Sequence, residues 1–191
     1  MNSVSISELI RHYTEEVRAT LARLPVEEIE RIVEILQEAR VNKRGVFIFG
    51  NGGSAATASH FTCDLNKGAI TAGQPRFRAV ALTDNLPLIS AWANDTSYSN
   101  VFAQQLENYV EPGDVVIGIS VSGNSMNVIN ALELAKSKGA TTLAFTGFDG
   151  GKVKDTAHLC IVVPNNSMEQ VEDIHALLEH AITTCLRGMG I

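Results

Sequence analysis

Cysteine is scarce in this chain: three thiols, Cys63, Cys160 and Cys185, are scattered among 191 residues with no C-x-x-C pair. That argues against a disulfide framework or a thiolate zinc module and fits reduced thiols in a reducing compartment. No apolar run approaches the roughly 18 residues that a membrane-crossing helix needs. The opening segment, Met1 to Glu8, has neither a basic n-region nor an apolar h-region. A secretory signal is therefore not expected, and the cytoplasm is the expected location. Positive charge is also short, with 15 Lys and Arg against 21 Asp and Glu and a net charge of -6. Without a basic patch or stripe, nucleic acid is not an expected partner. An anionic ligand would have to be held mostly by backbone amides and hydroxyls.

What is present suits a single globular domain, since 45% of the residues are hydrophobic and the length allows one well-buried core. Its centre is the stretch 46–64. Val46-Phe47-Ile48-Phe49 runs into Gly50-Asn51-Gly52-Gly53-Ser54 and on into Ala55 to His60, which reads as a helix. A strand that ends in glycines and restarts as a helix leaves free N–H groups at the positive end of the helix dipole, which is a phosphate cradle. The same grammar returns about seventy residues later, where Asp114 to Ile119 leads into Ser120-Val121-Ser122-Gly123-Asn124-Ser125 and a further helix.

Around these two loops the pattern alternates. Two helices come first, one over residues 5–24 with Ile6, Leu9, Ile10, Tyr13, Val17 and Leu21 at helical spacing, and one after Pro25 with Glu27 and Glu28 in its first turn. The first either packs on another subunit or covers its own domain. Strands are expected at 77–82, 114–119, 142–147 and 159–163, in addition to the one at 46. Helices are expected at 86–92, 99–109, 125–138 and 168–186, with Asn94-Asp95 separating the first two. Continuous apolar strands alternating with helices imply a parallel sheet covered on both faces, with ligands beyond the carboxyl ends of its strands.

Gly50-x-Gly52-x-x-Ala55 matches the dinucleotide fingerprint, but the acidic residue wanted about twenty positions on is missing. Ala69 and Ile70 stand there, and Asp84 lies too far along. Hydroxyls at Ser54, Ser120, Ser122 and Ser125 suit a compact phosphate monoester better, although Ser125 also reads as a helix cap. A second constellation follows from helix spacing. His60, Cys63, Asp64 and Lys67 share one face, and the last helix brings Glu169, Glu172, Asp173, His175, Glu179 and His180. Such groups either ligate a metal and divide acid and base work, or are simply solvated and paired. Glu172 and His180 rise about 12 Å apart along a straight helix. Cys63 reads as a small buried hydrophobe rather than a ligand.

Gly50-Asn51-Gly52-Gly53-Ser54, Ala93-Asn94-Asp95, Gly118 to Ser125, Thr146-Gly147-x-Asp149-Gly150-Gly151 and Asp173-Ile174-His175 together resemble the sugar isomerase (SIS) domain family. Within it the likeness is to the phosphoheptose isomerase subfamily, over essentially the whole chain. The resemblance implies a three-layer α-β-α sandwich with a five-stranded parallel sheet, one domain over 1–191, and a homotetramer with active sites between subunits. Residues 1–43 would then serve in oligomer contacts. It also implies conversion of sedoheptulose 7-phosphate into D-glycero-D-manno-heptose 7-phosphate through an enediol, for lipopolysaccharide or other surface-polysaccharide heptose.

Carried over residue by residue, Asn51, Gly52, Gly53, Ser54, Asn94, Asp95, Ser120, Ser122, Ser125 and Glu172 would bind the sugar phosphate. His60, Asp64, Glu172 and His180 would hold zinc or another divalent metal, with Asp64 as base and His180 as acid. Three positions depart from the family pattern: Asp64 stands for glutamate, Glu172 for glutamine and Val121 for threonine. A non-catalytic relative, binding a phosphosugar or associating with a replication initiator, is the alternative reading.

Overall fold

A computed structural model of the chain describes residues 5–189. The outermost ends of the expected 1–191 domain, with Met1 to Val4 of the segment read for a signal, lie outside them. The order is α1 (Ile6–Leu21), α2 (Val26–Val41), β1 (Gly45–Gly50), α3 (Gly53–Cys63), a π-helical turn (Asp64–Gly68), β2 (Arg78–Ala81) and α4 (Leu86–Asp95). A 3₁₀ turn (Tyr98–Asn100), α5 (Ala103–Tyr109), β3 (Val115–Ser120), α6 (Met126–Ser137), β4 (Thr141–Thr146), α7 (Gly151–Thr156), β5 (Leu159–Val162) and α8 (Met168–Gly188) complete it.

All strand pairs are parallel, in the order β2-β1-β3-β4-β5. The apolar runs make this possible because the central strands β1 and β3 bury both faces, whereas the edge strand β2 leaves Arg78 and Val80 exposed. Val46 and Ile48 of β1 point into a core shared with α2, α3 and α8, while Phe47 and Phe49 point into one shared with α5 and α6. From β1 the chain goes outward to β2 and returns to the other side as β3. That reversal opens a crevice between the carboxyl ends of β1 and β3, and both glycine-serine loops leave from there.

Two boundaries and one element differ from the sequence reading, the element being the short helix α7, which none of the expected helices covers. Asn94 and Asp95 close α4 instead of separating two helices, and the helix expected over 99–109 is a 3₁₀ turn followed by α5. The first helix divides its allegiance. Val17 and Leu21 pack on the core of their own chain, whereas Ile6 is 78% exposed and Leu9 and Ile10 face outward with it. A capping box joining Ser5 and Glu8 starts this helix. No helix among the described residues is long and apolar enough to cross a membrane.

Candidate active site

The first loop turns at Gly52, whose φ of 54° and ψ of -123° belong to a region that side chains disfavour. No side chain caps α3. Among the described residues the amides of Gly53 and Ser54 find no acceptor, so they remain available to a ligand. The second loop is pinned by close backbone packing. Gly123 has a φ of +63°, and a Cβ there would lie 2.0 Å from the carbonyl oxygen of Gly150. Ser125 occupies the cap position of α6, yet its hydroxyl makes no cap bond. It accepts instead from the Ser120 hydroxyl at 3.1 Å, which corrects the capping reading. Ser122 is more committed than expected, since its oxygen accepts from the Asn124 amide at 3.3 Å.

Between the loops lies a cavity of about 120 Å³, lined by Asn51, Ser54, Ser120, Val121, Ser122, Ser125 and Glu172 among others. It has room for a phosphate group and little more. Asn51 is held rather than free. Its amide exchanges two hydrogen bonds of 2.9 Å with the buried Asn127, and its oxygen also accepts from the Tyr98 hydroxyl at 2.8 Å. Asp84, the nearest acid to a dinucleotide position, accepts from the Ser59 hydroxyl and so ties α3 to the end of β2. Asn94 and Asp95 are exposed at the end of α4, bonded to each other at 2.9 Å and outside the cavity lining.

Helices α3 and α8 run side by side in the same direction. At their amino ends the Glu172 carboxylate faces Gly53 so closely that a Cβ there would meet both oxygens at 2.4 Å. Two turns on, His60, Asp64 and His180 converge, with ligand atoms all within 4.8 Å of one another. Asp64 stands between the two imidazoles, Oδ1 4.0 Å from His60 Nε2 and Oδ2 3.7 Å from His180 Nε2. Of the four residues expected from sequence to hold a metal, these three converge, while Glu172, about 12 Å along α8 from His180, lines the serine cavity. Cys63 is exposed and outside the group, neither the buried hydrophobe expected nor a ligand. Two imidazoles and one carboxylate are donors suited to a divalent transition-metal ion, and half-exposed rings leave room for further ligands.

Beside this group are a carboxyl and an imidazole that the sequence reading placed in the same constellation without individual roles. Glu179, fully buried on α8, places Oε1 2.8 Å from His60 Nδ1. Burial first, then the nearby charge of Asp64, pushes its carboxyl up to about 8. His175 is also fully buried and meets the Thr146 carbonyl at 3.1 Å, and burial pushes its imidazole down to about 4. Asn127 and Tyr98 are residues the sequence reading left out, and Glu179 was named there only as one of several acids on the last helix. The signal was there: Asn127 and Glu179 are polar residues on the buried faces of α6 and α8, which are otherwise largely apolar.

Known proteins are similar to this chain over most of its length. The SIS domain profile matches residues 12–147. A phosphoheptose isomerase of Aliarcobacter butzleri is 38% identical over 182 residues, 95% of either chain. A probable phosphoheptose isomerase of Thermoplasma acidophilum is 40% identical over 172 residues, 90% of this chain and 94% of that one. Among solved structures, the phosphoheptose isomerase of Neisseria gonorrhoeae superposes with a TM-score of 0.86 at 31% identity, over 96% of this chain and all of that one. That of Francisella tularensis gives 0.89 at 26% identity, over 97% of this chain. With a profile match across most of its length and relatives at this identity spanning nearly all of it, the chain belongs to the SIS domain family.

Proposed function

We propose that this chain is a phosphoheptose isomerase, converting sedoheptulose 7-phosphate into D-glycero-D-manno-heptose 7-phosphate for surface-polysaccharide synthesis. The observation that carries this reading is the spacing of two chemistries along α3 and α8. Six residues of α3 separate Ser54 from His60, a rise of about 9 Å. Seven single bonds from C2 of the ketose to its phosphorus cover about 8 Å when extended, at about 1.2 Å per bond. A phosphate seated among the serines therefore brings the reacting carbons level with His60, Asp64 and His180.

The amides of Gly53 and Ser54 and the hydroxyls of Ser54, Ser120, Ser122 and Ser125 hold the phosphate. Glu172, at the rim, accepts from sugar hydroxyls. Asp64 removes the proton from C1 and returns it to C2, while His180 takes the proton of O1 and supplies one to O2. Carbon C1 is oxidised and C2 reduced within one molecule, so no redox partner is needed. His60, Asp64 and His180 are the residues that would hold zinc, which polarises carbonyl and hydroxyl oxygens when bound.

A homotetramer in the cytoplasm completes the proposal. The outward stripe of Ile6, Leu9 and Ile10 on α1 supports contact with a second copy. Asn94 and Asp95, exposed and away from their own cavity, would then serve a neighbouring site. The test is formation of aldoheptose 7-phosphate from sedoheptulose 7-phosphate by the purified protein, with and without added zinc. Conversion that needs zinc and is lost in His180→Ala supports the proposal. A folded, zinc-loaded protein without conversion overturns the substrate, and one without zinc or conversion leaves the non-catalytic relative as the reading to pursue.

A further inference from the structure

Glu179 is 0% exposed on the face of α8 that carries Ile174, Leu178 and Ile182 into the core. Neither of its oxygens makes a properly directed hydrogen bond among the described residues, and no lysine or arginine reaches it. The hydroxyls of Thr62 and Thr183, on the same two helices, are likewise buried without partners. Burial of a carboxylate in such surroundings is unfavourable for folding. What it does touch is His60, whose Nδ1 lies 2.8 Å from Oε1, while Nε2 of the same ring faces Asp64. The ring also stands edge-on to His180, with centroids 4.8 Å apart.

We infer that Glu179 is a positioning residue for the metal site: with an ion on Nε2 the His60 proton must sit on Nδ1, and Glu179 Oε1, 2.8 Å away, is placed to accept it as a hydrogen bond and so fix the tautomer whose Nε2 faces Asp64 and His180. The inference rests on the reading that His60, Asp64 and His180 hold the ion. A neutral imidazole has one proton for two nitrogens, and a half-exposed ring can turn. A carboxylate behind Nδ1 removes both freedoms and makes Nε2 more basic. The fold thus keeps a buried, poorly partnered carboxyl group where it weakens the empty protein and strengthens metal binding.

The two effects have opposite signs, and that separates them experimentally. Zinc affinity, from competition with a chromogenic chelator, and the melting temperature of the metal-free protein are measured for the wild type, Glu179→Gln and Glu179→Leu. Glu179→Leu should weaken zinc about 10- to 100-fold and raise the metal-free melting temperature. Glu179→Gln, nearly isosteric and still able to accept from Nδ1, should lose less affinity than Glu179→Leu. A residue that only packs would lower the melting temperature or leave zinc unaffected. Unchanged affinity in both variants, with His60→Ala binding lost, overturns the inference alone. A wild type that takes no zinc, or binding unaltered in His60→Ala, overturns the metal reading and this inference with it.

Discussion

Gly123→Ala should be among the most damaging single-methyl additions in this chain, for a reason visible in two loops. A Cβ at Gly123 would lie 2.0 Å from the Gly150 oxygen and 2.9 Å from the Gly151 nitrogen, so backbone must move until ordinary contact near 3.4 Å is restored. Two hydrogen bonds cross that seam, Val153 N–H to Gly123 O and Gly147 N–H to Val121 O, each 2.9 Å. Losing both costs about 2 kcal/mol net, and a left-handed alanine adds about 1–2 kcal/mol. A domain of this size loses about 2–4 °C per kcal/mol, which sets the expected fall in melting temperature at about 10 °C. Gly73→Ala is the control, because its φ of +77° carries the same backbone term but nothing lies within 4 Å of a Cβ there. It should cost about 1–2 kcal/mol, or roughly 4 °C. Thermal melts by circular dichroism at equal protein concentration compare the two directly. Gly123→Ala should also raise KM for the sugar phosphate, since Ser120, Ser122 and Ser125 share its loop. Equal melting shifts in the two variants would refute the claim that loop-to-loop contact holds the second cradle.

Two further outcomes follow from buried polar groups. His175, pushed down to about 4 from 6.5 by burial, gives stability that is complete above pH 6.5 and lost as pH falls toward 4. The full effect is on the order of 3 kcal/mol, and urea midpoints of His175→Gln should be flatter across that window than those of the wild type. Asn127→Ala breaks the reciprocal amide pair with Asn51 and should cost about 1–3 kcal/mol. The double variant Asn51→Ala/Asn127→Ala should cost more than Asn127→Ala only by the exposed bond that Tyr98 gives to Asn51, as read by urea denaturation, because the first change has already removed both amide bonds.

Much of the fold was legible because its strands are unambiguous. Val46 to Phe49 and Val115 to Ile119 are too short for helices and too apolar for a half-exposed sheet, so a parallel sheet with both faces covered was the remaining solution. Both phosphate loops were legible for a local reason, since glycines between a strand and a helix have little else to do. The grouping of the metal residues was only half legible. Periodicity puts His60 and Asp64 on one helix face, but only the tertiary arrangement of α3 beside α8 shows which residues of the last helix they meet. Asn94 and Asp95 misled because both favour turns, and apolar packing of Ile89, Trp92 and Ala93 carried the helix through them. The hydrogen bond from Tyr98 to Asn51 spans 47 positions and leaves no local trace.

The serine-lined cavity has one more consequence. Among the described residues no lysine or arginine lines it, while the chain as a whole carries -6. Amide dipoles act over the last ångströms, and their field fades within a turn of the helix. A phosphorylated sugar diffusing toward this chain therefore meets weak repulsion at long range and attraction only after contact, the reverse of electrostatic steering. Added salt should leave its encounter rate unchanged or slightly faster. Arrival, more than residence, is the step that this chain leaves unassisted.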